Sequence, residues 1–296
     1  MNQTVLINNN KIEVQYKGDS GPLIVILTGM GCPFDEWYNI IENLRHNNRI
    51  LTFHRRGLGQ SEIGGRIRGT ESTVRDLAEL LNHFEIEEPI YIVGHSYGGL
   101  CAQHFAKTYP DSIAGVVLVD STSVELKVLD ELDLPVINEE TDEVWIEKCL
   151  NYATKDEEQL REIIKPSLND KHHHFPDKIQ QRILDFQVSP TLYKAMASEI
   201  KEWKNDAEVI KSLKDFPDVP LVVIGRDKEF TIKSEMSTGV PLWELRKFEE
   251  KWAELITNQV KLSTKGELLI ASNSGHSVFL DRPDLLIECI HRISRI

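Results

Sequence analysis

Residues 89–110 read PIYIVGHSYGGLCAQHFAKTYP. The stretch opens with IYIV, an apolar run rich in β-branched residues, which indicates a buried strand. From Leu100 helix-forming residues continue until Pro110, where the proline ends the helix. Between the two elements, residues 94–98 follow the pattern Gly-x-Ser-x-Gly. The stretch therefore predicts a strand that turns sharply into a helix, with Ser96 at the tip of the turn.

This pattern also explains the glycines around the serine. A residue at the tip of such a turn takes a strained backbone conformation, and its neighbours must let strand and helix approach closely. The hydroxyl is then exposed at the positive end of the following helix, where developing negative charge is favoured. That geometry is called a nucleophile elbow. The pentapeptide alone is a weak signal, so a plain strand–turn–helix crossover is the alternative.

The rest of the chain alternates strands with helices. The Asn8–Asn10 turn predicts an initial β-hairpin, and four further apolar runs predict buried strands before the last strand. The predicted strands are 4–7, 11–16, 23–27, 49–53, 90–93, 113–119, 220–224 and 267–271. Helices are predicted at 33–46, 70–84, 100–109, 241–262 and 283–293, with a long polar loop after residue 227. This order predicts an α/β protein with a mostly parallel central sheet flanked by helices.

The alternation breaks after Asp120. Residues 121–216 contain no convincing buried strand and several charged, helix-forming segments, at about 143–152, 156–164, 178–186 and 190–213. We therefore predict a core domain formed by residues 1–120 and 217–296, with a helical cap inserted at 121–216. The cap is expected to cover the carboxyl ends of the strands, where an α/β sheet keeps its site.

Composition excludes several classes of partner and compartment. The 296 residues are 41% hydrophobic and 27% charged, with a formal net charge of −13. Such an acidic chain is not expected to bind nucleic acid or an anionic membrane. The four scattered cysteines form no metal-binding pair and favour a reducing compartment. Without a signal-peptide pattern or a membrane-spanning apolar run, a cytoplasmic protein is expected.

A serine nucleophile needs a general base, and His276 is the best candidate among ten histidines. It follows the last predicted strand on a loop at the same sheet edge as Ser96. His46, His104 and His291 fall in predicted helices. His172–His174 lies in the predicted cap, where a solvated loop is favoured over a metal site because three adjacent histidines cannot all face one ion.

With these residues in place, the chain resembles the α/β-hydrolase superfamily, specifically its capped, esterase-like members, over nearly its whole length. Residues 54–61, HRRGLGQS, are similar to the family's Asp-x-Arg-Gly-x-Gly-x-Ser loop, with His in place of Asp. Thr28-Gly29 stands where the family often has His-Gly. The resemblance implies that the backbone N–H groups of Met30 and Tyr97 form the oxyanion hole.

The acid of the triad has two candidates. The family usually places it three residues after the glycine that ends the penultimate strand, which here is Lys228, so Asp227 falls one residue short. Some relatives place the acid at the end of the strand after the elbow helix, and Asp120 occupies that position. We expect Asp120 to be the acid and keep Asp227 as the alternative. Either aspartate could instead serve only in a turn.

The predicted function is a serine hydrolase that cleaves a small carboxylic ester, lactone or thioester through an acyl-enzyme on Ser96. Such a reaction requires no metal or organic cofactor, and the expected partner is a small acyl substrate. Carbon–carbon bond hydrolysis and amide or peptide hydrolysis on the same fold are the alternatives, as is a non-catalytic ligand-binding regulator. Aromatic residues of the cap could line the pocket or fill its own core: Trp145, Phe175, Phe186, Tyr193 and Trp203.

Overall fold

A central sheet of eight strands organises the molecule. The computed structural model describes residues 2–65 and 68–294. In chain order the strands are β1 (Asn2–Ile7), β2 (Asn10–Lys17), β3 (Leu23–Leu27), β4 (Arg49–Phe53), β5 (Ile90–His95), β6 (Ile113–Val119), β7 (Leu221–Arg226) and β8 (Gly266–Ala271). Their spatial order is β1-β2-β4-β3-β5-β6-β7-β8. Strand β2 pairs antiparallel with β1 and β4, and the remaining pairs are parallel.

The apolar strands are buried on both faces, as their continuous hydrophobic runs predict. In β3, Leu23, Val25 and Leu27 belong to one hydrophobic cluster, whereas Ile24 and Ile26 belong to the cluster on the opposite face. Successive side chains of a strand point to opposite faces, so one five-residue run contributes to both layers. The α/β architecture with a mostly parallel central sheet predicted from the sequence is confirmed.

Helices cover both faces of the sheet. They are α1 (Tyr38–Leu44), α2 (Thr70–His83), α3 (Tyr97–Thr108), α4 (Asp142–Tyr152), α5 (Glu157–Ile164), α6 (Asp177–Gln187), α7 (Pro190–Ser212), α8 (Lys228–Glu235), α9 (Leu242–Gln259), α10 (Val278–Asp281) and α11 (Pro283–Ser294). Apolar residues of α2 and α3 pack on one face of the sheet, and those of α1 and α11 pack on the other. None of the helices in the described ranges is long and apolar enough to cross a membrane.

Residues 121–216, which we call the insertion, fold as helices α4–α7 and short 3-10 turns, and no strand occurs in this segment. Helix α7 is tied to the core by polar contacts along its length. Asp206 Oδ2 accepts from the Thr70 N–H at 2.7 Å, and the Ile210 carbonyl accepts from Lys107 Nζ at 2.7 Å. The division into core and cap stays a prediction.

Two local predictions were wrong, and one short helix was missed. The predicted polar loop after Asp227 contains helix α8, because the Asp227 carboxylate caps its first turn. The helix predicted at 33–46 begins as a 3-10 turn at Phe34–Trp37 and becomes α-helical only over α1. The sequence also gave no sign of the one-turn helix α10.

Candidate active site

Ser96 lies at the tip of the turn between β5 and α3. Its backbone φ of 52° and ψ of −123° are strained for a residue with a side chain. A Cβ on Gly98 would collide with the Leu27 carbonyl oxygen, and one on Gly94 would come within 2.6 Å of the Gly98 carbonyl oxygen. The glycines therefore permit the close approach of β3, β5 and α3 that holds Ser96 at the sheet edge.

His276 and Asp120 meet at this edge, although 156 residues separate them in the sequence. Nδ1 of His276 lies 2.6 Å from Oδ2 of Asp120. Because an ionised carboxylate only accepts hydrogen bonds, this contact places the imidazole proton on Nδ1 and leaves Nε2 as an acceptor. The His276 side chain is 41% exposed, whereas that of Asp120 is 0% exposed. The pair therefore combines a buried anion with an accessible imidazole.

Asp120 accepts three further hydrogen bonds. Trp252 Nε1 donates to Oδ1 at 2.9 Å, and Arg226 donates through its backbone N–H to Oδ1 at 3.2 Å and through Nη1 to Oδ2 at 3.1 Å. Burial alone would raise the pKa of Asp120, but the Arg226 charge and the hydrogen bond from His276 hold it well below its ordinary value. Asp120 is therefore ionised across the working pH range of proteins.

Arg226 is itself neutralised on its other side. Its guanidinium forms a bidentate pair with Glu249 on α9, with one contact at 2.9 Å, and stacks 4.5 Å above the Trp252 ring. Sequence reasoning did not single out Arg226. Its partners Asp120 and Glu249 lie 106 and 23 residues away, so no local pattern reveals the pairing.

The alternative acid, Asp227, points elsewhere. Oδ1 accepts from the backbone N–H groups of Glu229 and Phe230, at 3.1 and 3.2 Å, and so caps helix α8. Oδ2 accepts from the Asn273 N–H at 3.1 Å. These backbone bonds lower the pKa of Asp227. The structure brings Asp120, not Asp227, to the His276 imidazole.

The two predicted oxyanion donors flank the serine. Tyr97 directly follows Ser96, and the Gly29–Met30 loop comes close enough that a Cβ on Gly29 would be 3.3 Å from the Ser96 Cβ. Within residues 2–65 and 68–294, neither the Met30 nor the Tyr97 N–H donates a hydrogen bond to the protein. Both amides are therefore available to an external oxygen.

His95, inside the elbow motif, was not singled out by sequence reasoning. Its Nε2 lies 2.9 Å from the His276 carbonyl oxygen, and its ring centroid is 4.7 Å from that of His276. Burial and the neighbouring His276 lower the pKa of His95 from 6.5 to about 3. The neutral ring therefore donates from Nε2 and anchors the loop that carries His276.

His54, the departure from the family loop, belongs to a second polar cluster. Its Nδ1 lies 2.8 Å from Glu13 Oε2, and its Nε2 accepts from the Phe34 N–H at 3.2 Å. Arg182, on α6 of the insertion, donates to Glu13 at 2.8 Å and to Asp35 at 2.7 and 2.9 Å. A cavity of about 590 Å³ borders this cluster. The cluster thus joins the insertion to the core.

The aromatic residues of the insertion have different surroundings. Phe175 and Phe186 are buried, whereas Trp145 is 41% exposed. Tyr193 and Trp203 pack with Met30 around a small cluster of buried insertion residues. Trp203 also borders a cavity of about 460 Å³ shared with Trp252. Tyr193 and Trp203 thus pack against the same buried cluster as Met30 of the predicted oxyanion loop, residues 28–31.

The histidine run does not assemble a metal site. His172 lies in a 3-10 turn, and its Nδ1 accepts from the Asn169 N–H at 3.3 Å. Across the described part of the chain, no three His, Cys, Asp or Glu side chains are grouped as metal ligands.

Comparisons with known proteins identify the fold family. A family model described as alpha/beta hydrolase fold matches residues 22–200. The chain is 30% identical over 121 residues to the uncharacterized protein YqjL of Bacillus subtilis (strain 168), which is 40% of this chain and 48% of that protein. Matched stretches span between 38% and 48% of the length of four curated relatives, so this chain corresponds to about half or less of each.

Solved structures share the fold over the full chain. A thermophilic esterase from Thermogutta terrifontis has a TM-score of 0.66 at 18% identity, covering 100% of this chain and 98% of that one. A putative epoxide hydrolase from Pseudomonas aeruginosa has a TM-score of 0.70 at 16% identity, covering 99% and 94%. At such low identity these similarities concern the fold alone.

Proposed function

The chain belongs to the α/β-hydrolase fold family, and from this premise we propose that it is a serine hydrolase cleaving a small carboxylic ester, lactone or thioester. The observation that carries the proposal is the 2.6 Å contact between His276 Nδ1 and Asp120 Oδ2 at the edge where the strained turn presents Ser96. A fixed tautomer with a free Nε2 is what a general base for a serine hydroxyl needs.

In the proposed mechanism, His276 Nε2 takes the hydroxyl proton as Ser96 Oγ attacks the acyl carbon. Asp120, ionised at the working pH, stabilises the imidazolium that forms. The tetrahedral oxyanion accepts hydrogen bonds from the N–H groups of Met30 and Tyr97. His276 then protonates the leaving alkoxide or thiolate, and the acyl group stays on Ser96. A water that gives its proton to His276 attacks this ester, and His276 returns that proton to Ser96 Oγ as the acid is released.

An acyl substrate with a small apolar group suits the surroundings of the predicted oxyanion loop. Met30 packs against the same buried cluster of the insertion as Ile146, Tyr193 and Met196. Side chains of this kind exclude water without offering a charged partner, which favours a neutral ester, lactone or thioester.

Epoxide hydrolysis and the non-catalytic alternative make different demands on the elbow. The family's epoxide hydrolases use Asp at the elbow position that Ser96 occupies, so this chemistry is disfavoured here. A regulator that only binds ligands has no need of the His276–Asp120 pair.

The test is covalent labelling by a fluorophosphonate probe, read by intact mass. We expect one adduct on the wild type, formed by Ser96 Oγ with loss of fluoride, and none on Ser96→Ala. Ser277→Ala is the matched control, because this serine lies next to His276 and its side chain caps no helix. Ser277→Ala should form the same adduct as the wild type. Like the wild type, it should hydrolyse a panel of short p-nitrophenyl esters, of lactones or of thioesters.

Two results would count against the proposal. An adduct that persists on Ser96→Ala would mean that another group is nucleophilic. A folded wild type that neither labels nor hydrolyses any member of the panel would favour the ligand-binding regulator.

A further inference from the structure

Arg55 is a buried cation that the mechanism above does not use. Its side chain is 5% exposed. Nε and Nη2 donate to the two carboxylate oxygens of Glu199 at 2.6 and 3.1 Å. The guanidinium also donates to two main-chain carbonyls of the predicted oxyanion loop, Nη1 to Thr28 at 2.7 Å and Nη2 to Gly29 at 3.0 Å. Four hydrogen bonds therefore fix both the cation and the loop.

The Gly29 carbonyl belongs to the same peptide unit as the Met30 N–H. A trans peptide is planar, and its C=O and N–H point in opposite directions. No cis peptide bond occurs in the described chain. A donor that fixes the Gly29 oxygen on one side of the plane therefore fixes the direction of the Met30 N–H on the other.

We propose that Arg55 is a positioning residue for the oxyanion hole: by holding the Gly29 carbonyl, it aims the Met30 N–H at the oxygen of the reacting acyl group. This inference rests on the proposed function, because the Met30 amide matters only if an oxyanion forms. Arg55 itself touches neither substrate nor the reacting atoms.

Arginine suits this task better than lysine would. Its planar guanidinium presents donors in fixed directions, so it can grip a carboxylate with one edge and carbonyls with another. Hydrogen bonds from a charged donor are shorter and stronger than those from a neutral one. The guanidinium also lies 5.1 Å from the ring centroid of Tyr97, the residue that carries the second predicted donor.

Glu199 connects Arg55, and with it the Gly29 carbonyl, to the insertion. It lies on α7 and is 3% exposed, and its charge outweighs burial to hold the pKa of Arg55 above its ordinary value. The same helix contacts the loop through Met196, whose Sδ would be 2.9 Å from a Cβ on Gly31. The seating of α7 and the direction of the Met30 amide are thus coupled through one ion pair.

Removing Arg55 alone leaves the Glu199 carboxylate buried without its partner and endangers folding. The informative variant is therefore Arg55→Leu combined with Glu199→Leu, which removes both charges and adds no methionine. The chain offers a matched control in Arg56, which forms its own bidentate pair with Asp76 at 2.6 and 2.8 Å. Within the part of the chain that the structure describes, Arg56 donates no hydrogen bond to the oxyanion loop. Arg56→Leu with Asp76→Leu removes a bidentate pair one residue away.

The first readout does not depend on catalysis. Protein labelled with 15N only at its four methionines gives few amide signals, and Met30→Leu identifies that of Met30. We expect the Met30 amide signal to move and to exchange faster with solvent in the Arg55–Glu199 double variant, and to stay in place in the Arg56–Asp76 control. An unmoved signal in a folded double variant would overturn the inference.

The second readout is kinetic, on the ester that the wild type hydrolyses best. A misdirected N–H donor should reduce kcat less than a missing donor does. We therefore expect kcat to fall about 10- to 100-fold while KM changes less than about 3-fold. A purely structural ion pair would let the folded double variant keep the wild-type kcat, which would also overturn the inference. If the wild type is inactive, the proposed function fails, and the Met30 signal still decides whether Arg55 sets the amide.

Discussion

Replacing Asp120 with Asn is the most direct test of the acid. The change preserves the shape of the side chain but removes the charge and turns one oxygen into an N–H₂ group. Oδ2 of Asp120 faces two donors, His276 Nδ1 at 2.6 Å and Arg226 Nη1 at 3.1 Å, and Oδ1 faces Trp252 Nε1 at 2.9 Å. An amide has only one acceptor oxygen, so on one of these two sides its N–H₂ group must face another donor.

The amide places His276 in the wrong state whichever way it turns. With N–H₂ towards the ring, Nδ1 must accept, and the proton moves to Nε2, which then cannot take the proton of Ser96. With the oxygen towards the ring, the imidazolium loses its counter-charge. We expect kcat to fall by about 10³- to 10⁴-fold, a magnitude typical of removing the acid from such triads. That corresponds to about 4 to 5.5 kcal/mol of transition-state stabilisation.

The fold should survive this substitution. Arg226 keeps its bidentate partner Glu249, so the guanidinium is not left unpaired in the interior. We expect a loss of about 1–3 kcal/mol in the free energy of unfolding, the cost of a weakened buried hydrogen-bond set. Urea unfolding followed by circular dichroism measures this loss beside steady-state hydrolysis of the best ester.

Asp227→Asn is the matched comparison. Asparagine caps helices nearly as well as aspartate, so α8 should hold and the unfolding free energy should change by less than about 1 kcal/mol. Its kcat should stay within about 3-fold of the wild type, since Asp227 bonds backbone amides rather than His276. A folded Asp227→Asn without activity, beside an active Asp120→Asn, would refute the assignment of the acid.

Two further predictions concern buried carboxylates. Burial alone would raise the pKa of Glu13, but His54 and Arg182 lower it from 4.5 to about 2. The ionised carboxylate therefore adds at most about 3 kcal/mol to the free energy of unfolding above pH 4.5, and this contribution is lost as the pH falls towards 2. The difference in urea stability between wild type and Glu13→Gln should therefore shrink between pH 7 and pH 3, and a constant difference would contradict this. Glu249→Gln should lower kcat about 3- to 10-fold and move the acid limb of the kcat/KM profile to lower pH. The reason is that Arg226, without its Glu249 partner, offsets more of the negative charge of Asp120 beside the imidazole. An unchanged profile would count against this coupling.

Local patterns were enough to predict the sheet. Apolar runs such as Leu23–Leu27 are buried on both faces, and the glycines of the elbow are needed because backbone atoms occupy the space of their missing side chains. Helix α8 escaped prediction because its sequence, KEFTIKSE, has only one buried residue, Ile232. A helix with so little apolar surface shows no hydrophobic periodicity. Its start depends on the Asp227 carboxylate, which accepts hydrogen bonds from the first N–H groups of the helix.

Sequence reasoning identified site residues only where a residue and its immediate neighbours in the chain form a recognisable motif. Ser96 and His276 have such neighbours, and the choice between Asp120 and Asp227 rested on counting residues past strand ends. The contacts of Arg55 and Arg226 could not be predicted in this way. Their carboxylate partners Glu199 and Asp120 lie 144 and 106 residues away, and pairing at that distance depends on how the helices pack.

Four charged groups in a row explain why Arg226 does not disable the proposed base. With His276 neutral, Asp120, Arg226 and Glu249 together carry one negative charge. When His276 accepts the proton of Ser96, the four groups become neutral as a set, and the negative charge passes to the oxyanion held by the Met30 and Tyr97 N–H groups. Without Glu249, Arg226 would cancel Asp120, and the imidazolium would face no net counter-charge. Arg226 holds the carboxylate in place by hydrogen bonds, while Glu249 restores the negative charge that those bonds would otherwise offset.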